Sequence, residues 1–456
     1  MYDGGRCESM GVCTKQEDDQ PLLKGGVLHR DKWGTPQKMA KSMTLESKSN
    51  DLLTIVTGSF PPRISGTSIV MANLLASYPG KLNVLCGNDY YSKIDPTFVS
   101  TCESHQLRFQ KYFPRVYAHL RMKAPSLAAL LVKVEIKKFL SRCKSKAVIG
   151  IFPWDVFLVG SFLAAQELKI PFFAYMLDVW HEQLRIDSVA EQFSRKWEPG
   201  ILKHSAGVLC VTEAMQQHYQ DKYGISSFLM PHTISEKDFQ HAPTGMVAPK
   251  LEKPTVLFVG TVSPVYNQDA LKVLAAASEL LPKDYELMFC PSNNDDPLQQ
   301  LGISCSRLQV RYVTRKEVKR LQSEAHALIA PLSHKHCSRD EVRMIFSTKL
   351  LEYLVSGRPI IVFAPEEAYH IVSARKGGWG YPVIQDSPEA LAKAIVEVVE
   401  KHSTAEKLVA GALLEARSRL AQHHARRLEQ WIGLHSQPTP PSVEQALGIS
   451  QLPRLA

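Results

Sequence analysis

No apolar run in this chain approaches the length a membrane-spanning helix needs. The first residues lack the apolar core of a secretory signal. The nine cysteines are odd in number and scattered, and no Cys-x-x-Cys occurs. That spacing argues against a disulfide framework and against a zinc site, and for a reducing compartment. The dinucleotide fingerprint G-x-G-x-x-G is missing, as is any Asp-x-Asp stretch of the kind that clamps a divalent cation. Acidic residues are nearly absent between His105 and Lys146, where Glu135 alone faces eleven lysines and arginines. The expectation is a cytoplasmic protein that touches, at most, the inner face of a membrane.

At 45% hydrophobic and 22% charged, the 456 residues can bury large cores. Residues 1–49 are polar and lack periodicity, and read as a flexible extension. Continuous apolar runs then recur: "LTIVT" (53–57), "LNVLC" (82–86), "AVIGIF" (147–152), "FFAYML" (172–177), "GVLCV" (207–211) and "FLMP" (228–231). Helix-like stretches separate several of them. Apolar strands alternating with helices imply a parallel sheet covered on both faces. The Pro-rich segment 241–254 reads as a linker. The pattern restarts with "TVLFVG" (255–260), "YELMFC" (285–290), "LQVRYV" (308–313), "HALIAPL" (326–332) and "PIIVF" (359–363). From Pro388 the chain turns helical, and residues 436–456 form a loose tail. The fold class is therefore α/β: two doubly wound, Rossmann-like domains, 50–240 and 255–415, with a helix at 416–435 returning to the first. Ligands of such sheets bind beyond the carboxyl ends of the strands, so two facing domains would make a cleft.

Three stretches carry candidate chemistry. In "FSTKLLEYLVSGRPIIV" (346–362), a helix opens on Ser347, Thr348 and Lys349, with Glu352 one turn in. Lys349 has the wrong sign for a helix N-terminus, at a cost of ~0.3–1 kcal/mol that a bound phosphate would offset. The alternative is a solvated polar face with a Lys349–Glu352 pair. The loop in "TGSFPPRISGTS" (57–68) places Ser65 and Gly66 at a helix start, either as an anion cradle or as a structural turn. "LDVWHE" (177–182) puts Asp178, Trp180, His181 and Glu182 directly after a buried strand. His181 can equally be a surface residue.

These pieces, with "SAGVLCVTEAMQQHYQDKYG" (205–224) and "VLFVGTVSPVYNQDAL" (256–271), resemble in order and separation the GT-B-fold glycosyltransferases of the large retaining family four (group 1 type). That family includes many bacterial envelope-sugar transferases. The resemblance covers about Asp51 to Leu434. It implies transfer of a sugar from a nucleotide-diphosphate sugar to a hydroxyl acceptor, in polysaccharide or glycoconjugate synthesis, without a metal, a cofactor or a nucleic acid. Glu352 matches the ribose-holding glutamate. Ser347, Thr348, Lys349, Gly260 and Thr261 would lie at the donor phosphates, and Ser65 and Gly66 would approach them from the first domain. Asp178 would line the sugar and acceptor site.

Four departures bear on the chemistry. Met344 stands where the family has a second glutamate, with Glu341 nearby but off register. Thr261 and Tyr266 stand where it has an arginine and a lysine, so Lys349, Arg358 or Arg343 would have to supply the cation. Leu177 replaces a histidine. A nucleotide-sugar epimerase and a non-catalytic nucleotide-sugar-binding scaffold therefore stay open. The basic segment adds one expectation. Lys133, Lys137 and Lys138 sit away from the apolar face of a helix beginning near Ala129, and would meet an anionic membrane or a lipid-linked acceptor.

Overall fold

A computed structural model of the chain describes residues 52–435, apart from 88–92, 96–97, 99, 101, 103, 264, 292–301, 303–306 and 336–338. The extension at 1–49 and the tail at 436–456 lie outside the described residues. Two parallel sheets dominate, both in one compact unit.

The first sheet has seven strands. In spatial order they are Ser104–Gln106, Leu82–Cys86, Leu53–Thr57, Ala147–Phe152, Phe172–Met176, Gly207–Cys210 and Phe228–Leu229. The second has six: Leu308–Val310, Glu286–Pro291, Thr255–Gly260, Ala327–Pro331, Ile360–Phe363 and Tyr381–Val383. Every pairing within them is parallel. The central strands are buried end to end, which is why their sequences are unbroken apolar runs rather than alternating ones. Side chains still alternate between the two faces. From Thr255–Gly260, Leu257 and Val259 enter one core, and Val256 and Phe258 enter the other.

Strand order reverses at Leu53–Thr57 in the first sheet and at Thr255–Gly260 in the second, since each is flanked by two later strands. The crevice at such a reversal is where doubly wound sheets hold ligands. Both candidate phosphate loops leave from these two strands.

Four further strands are too short or too polar to stand out in the sequence: Arg63–Ile64, Lys93–Ile94, Ser104–Gln106 and Tyr381–Val383. Ser104–Gln106 is an exposed polar edge with no apolar run to betray it. The other three have only two or three residues each.

The chain crosses between sheets at two adjoining places. Ile234 pairs with Leu420; its N–H donates to the Arg419 carbonyl (2.8 Å), and its carbonyl accepts from the Ala421 N–H (2.9 Å). Helix Ala421–His435 then packs on the first sheet, where Trp431 meets Phe173 and Phe228 at ring-centroid distances of 5.2 and 4.9 Å. A side chain at Gly207 would collide with the Trp431 ring.

Segment 241–254 is strapped to the second lobe. Arg358, 0% exposed, donates from Nε to the Ser323 carbonyl (2.8 Å). Its Nη1 and Nη2 donate to the carbonyls of Val247 (2.6 Å) and Ala248 (3.0 Å). Arg358 is thus spent on backbone and unavailable to a phosphate clamp.

Candidate functional site

The second sheet carries a cavity of about 140 Å³ at the carboxyl ends of Thr255–Gly260 and Ala327–Pro331. Thr261, Tyr266, Ser347, Lys349 and His370 contribute its polar lining. Lys349 begins the short helix Lys349–Leu354. Tyr353, on the same helix, accepts a hydrogen bond at its hydroxyl from the Val259 N–H (3.0 Å) and so fixes the helix beneath the strand. The Lys349 ammonium lies over Gly260, where a Cβ would overlap it, and 5.7 Å from the Phe258 ring centroid. Gly260 is therefore glycine for close approach.

Burial lowers the Lys349 pKa from its ordinary 10.5 to about 8, and Glu352 partly opposes that shift. No carboxylate forms an ion pair with this ammonium among the described residues. A dehydrated cation held on a glycine at a sheet's topological switch point is arranged for an anion.

Other predicted residues fall around this centre in different roles. The Ser347 N–H donates to His370 Nε2 (2.9 Å), so its backbone is already satisfied. His370 is buried, and desolvation followed by the Arg419 charge depresses its pKa to about 3. Thr348 meets the opposite lobe, since a Cβ on Gly66 would lie 3.5 Å from its Oγ1. Ser65 caps helix Gly66–Ala76: its Oγ accepts from the Ser68 N–H (3.1 Å) and donates to Ser59 Oγ (3.0 Å). These bonds make the loop a structural turn, and at Gly66 it also reaches the other lobe.

Glu352 is not among the residues that line the cavity. Gln322 Nε2 donates to it (3.2 Å), and an Arg315 nitrogen is 3.8 Å away. The expected Lys349–Glu352 ion pair is absent among the described residues. Arg343 also fails as a clamp. It is exposed, pairs with Asp340 at 3.8 Å, and lines a different, larger depression of about 630 Å³ between the lobes.

The two lobes meet at a narrow gap lined by Asp178, Val179, Met215, Tyr266, Glu341, Met344 and Ile345. Burial raises the Asp178 carboxyl to about 6. Glu341, 5% exposed, is raised too, by burial first, with Asp340 and Glu182 adding repulsion. The Tyr266 hydroxyl stands among them. Its pKa is raised by burial and then by the charges of Asp178 and Glu341. Its remaining polar contact is Gln183, at 3.5 Å.

Glu341 and Met344 are three residues apart on helix Arg339–Met344 and share a face. Met344 packs into the first lobe's core, and its carbonyl accepts from Thr212 Oγ1 (2.7 Å). The carboxylate reaches the gap one turn earlier. That one-turn offset was the signal in the sequence. His370 had none, because only the folded chain brings it under Ser347.

Of the other residues of "LDVWHE", Val179 lines the gap, and Trp180, His181 and Glu182 do not. Trp180 is buried, His181 Nδ1 lies 3.1 Å from Ser194 Oγ, and Glu182 pairs with His218 (2.8 Å) and Lys222 (2.5 Å). Two of the three lysines singled out for membrane contact are also committed. Lys133 and Lys137 grip Glu167 at 2.6 and 2.7 Å, and these charge contacts lower the Glu167 pKa against its desolvation. Among the described residues no ion pair engages Lys138, and no group of three His, Cys, Asp or Glu is placed to hold a metal ion.

Residues 253–401 match the family model described as glycosyl transferases group 1. No curated protein matches the chain in sequence. Solved structures match across the described fold. Sucrose-phosphate synthase from Thermosynechococcus elongatus is 14% identical, with a TM-score of 0.62, over 84% of this chain and 98% of its own. Anabaena HepE, solved with UDP-glucose, is 10% identical, with a TM-score of 0.58, over 84% and 99%. A Listeria monocytogenes protein described as a UDP-N-acetylglucosamine 2-epimerase is 12% identical, with a TM-score of 0.54, over 87% and 100%. The two sheets and their facing edges are the GT-B fold. Its second lobe carries the group 1 glycosyl transferase match.

Proposed function

We propose that this protein is a glycosyltransferase that moves a sugar from a nucleotide-diphosphate sugar to a hydroxyl acceptor. The observation that carries this reading is the desolvated Lys349 ammonium seated on Gly260. It opens into a cavity that adjoins, through Tyr266, the Asp178–Glu341 gap between the lobes. The group 1 match over that lobe and the UDP-glucose complex of HepE support it.

Breaking the bond to the anomeric carbon leaves negative charge on the diphosphate and positive charge on an oxocarbenium-like sugar. Lys349 takes the first charge, where the family has an arginine and a lysine in place of Thr261 and Tyr266. Glu341 and Asp178 face the second. The Asp178 carboxyl, held near 6, exchanges a proton near neutral pH and is placed for the acceptor hydroxyl. Thr261 and Ser347 complete the phosphate side, Thr348, Ser65 and Gly66 close it from the two lobes, and Glu352 holds the ribose. By the family resemblance the reaction retains anomeric configuration and serves polysaccharide or glycoconjugate synthesis on the cytoplasmic side.

Epimerisation on the same fold is the second reading. The Listeria neighbour favours it, as does the narrowness of the gap beside Asp178, which leaves about 10 Å³ for an acceptor. Incubation with a panel of nucleotide sugars, followed by chromatography of nucleotides and sugars, separates the cases. Acceptor-dependent release of nucleoside diphosphate supports transfer, and an isomerised sugar still on its nucleotide supports epimerisation. Binding without turnover supports a scaffold.

A further inference from the structure

The segment that holds the charge excess folds into three helices, Arg108–Tyr112, Pro114–Lys123 and Pro125–Cys143. Their buried side is ordinary: Ala128, Ala129, Val132, Ile136, Phe139 and Leu140 pack on the first sheet's core. Their outer side is not. Tyr112 is 65% exposed, Phe113 58% and Met122 63%, and Val116 is also exposed. On the longest helix Leu127, Leu131 and Val134 are exposed at i, i+4 and i+7, a second apolar stripe opposite the buried one, and Lys138 continues it.

Two contacts join the pieces into one face. The Glu135 carboxylate, next to Val134, accepts from the N–H groups of Arg108 and Phe109, which sets the first helix beside the stripe. Arg121 pairs with Asp155 at 3.3 Å, which fixes the second helix.

Topology places this face. Helix Arg108–Tyr112 follows the carboxyl end of strand Ser104–Gln106, and Asp155 follows the carboxyl end of Ala147–Phe152. The exposed side chains from Tyr112 to Leu127 therefore ring the same sheet edge that carries Asp178 and the Ser65–Gly66 loop. The far end, where Lys133 and Lys137 are neutralised by Glu167, points away from it.

We propose that this face docks on an anionic lipid leaflet, with Tyr112, Phe113, Val116, Met122 and Leu127 entering the interface and Lys111, Arg115 and Lys123 reading its charge. Among the described residues no ion pair engages those three cations. Apolar tips collared by unpaired cations match the boundary between acyl chains and anionic headgroups. A second copy of the chain would bring two positive faces together. Docked this way, the gap beside Asp178 opens toward the headgroups, where a lipid-linked hydroxyl acceptor would lie. The docking itself is independent of which nucleotide sugar is used.

The test is vesicle co-sedimentation of the full chain with phosphatidylcholine, with and without phosphatidylglycerol, across a salt series. Binding should require the anionic lipid and weaken with salt. Lys111→Gln/Arg115→Gln/Lys123→Gln should lower partitioning about 100-fold. Phe113→Ser/Met122→Ser should lower it at least about tenfold without changing the salt dependence. Lys133→Gln/Lys137→Gln should leave it within about threefold, since those cations already face Glu167. The substituted side chains are exposed or held in surface pairs, and thermal unfolding of each variant checks that the fold persists. Wild-type protein left in the supernatant at low salt overturns the proposal. So does a Phe113→Ser/Met122→Ser variant that binds like wild type. Sedimentation velocity showing a dimer that either variant dissolves would assign the face to a second copy instead. Nucleotide titration of the same samples reports on the donor site separately.

Discussion

If Lys349 is the cation that receives the donor's diphosphate, its depressed pKa makes binding depend on pH in a defined direction. In the free protein the ammonium titrates at about 8 instead of 10.5, because folding strips its water. A folded pKa below the unfolded one means the charged form is penalised. The penalty is full below pH 8 and relieved as pH rises toward 10.5. A bound diphosphate restores a counter-charge and lifts the lysine pKa back toward its ordinary value. Affinity is then flat below about pH 7.5 and falls tenfold per pH unit above about 8, up to a limit of about 300-fold if the whole shift of 10.5 to 8 is recovered. A phosphate's second proton leaves near pH 6, below this window, and does not mask it. Calorimetric titration of a nucleoside diphosphate between pH 6.5 and 9.5 reads the effect, with proton uptake rising above pH 8. Lys349→Met should bind weakly at every pH and show no slope. A wild-type affinity that stays level through pH 9, or a Lys349→Met variant that keeps the slope, would refute the reasoning.

Other expectations follow from particular contacts. Gly260→Ala drives a methyl into the Lys349 ammonium at a backbone φ of +158° that disfavours a side chain; diphosphate affinity measured by calorimetry should fall at least tenfold, or ~1.4 kcal/mol, and the melting temperature should fall as well. Glu352→Ala should cost ~1.5–3 kcal/mol of donor affinity while free phosphate binds unchanged, and equal losses for both would remove Glu352 from the ribose. Glu341→Gln and Asp178→Asn should each lower turnover by about 100-fold or more and leave donor affinity nearly intact, which single-turnover kinetics can separate from binding. Arg358→Met removes the donors that tie the carbonyls of Ser323, Val247 and Ala248 together, so urea unfolding should show a loss of ~1–3 kcal/mol.

The parallel strands were legible because burial on both faces writes itself as unbroken apolar sequence, as in "LTIVT" and "TVLFVG". Lys349 was legible as an oddity, a cation where a helix start disfavours one. What lay hidden depended on contacts between distant segments. Lys133 and Lys137 read as a free basic patch until the fold set Glu167 beside them, 34 and 30 residues along the chain. Arg358 read as a spare cation until segment 241–254 wrapped it in carbonyls. Glu341 read as off register because only the meeting of the two lobes, with Met344 buried in one, leaves its carboxylate at the gap. The exposed stripe of Leu127, Leu131 and Val134 was masked by the buried stripe on the same helix, since apolar residues at helical spacing announce a face without saying whether anything covers it.

The central claim is that the Lys349–Gly260 cavity and the adjoining inter-lobe gap are a nucleotide-sugar site. A structure determined with a bound nucleotide-diphosphate sugar tests it most directly. The account predicts the diphosphate against Gly260, Thr261 and the Lys349 ammonium, the ribose at Glu352, and the sugar between Asp178 and Glu341 with Tyr266 displaced. A nucleotide bound elsewhere, or a Lys349 ammonium still packed on Gly260 with no phosphate near it, would contradict it.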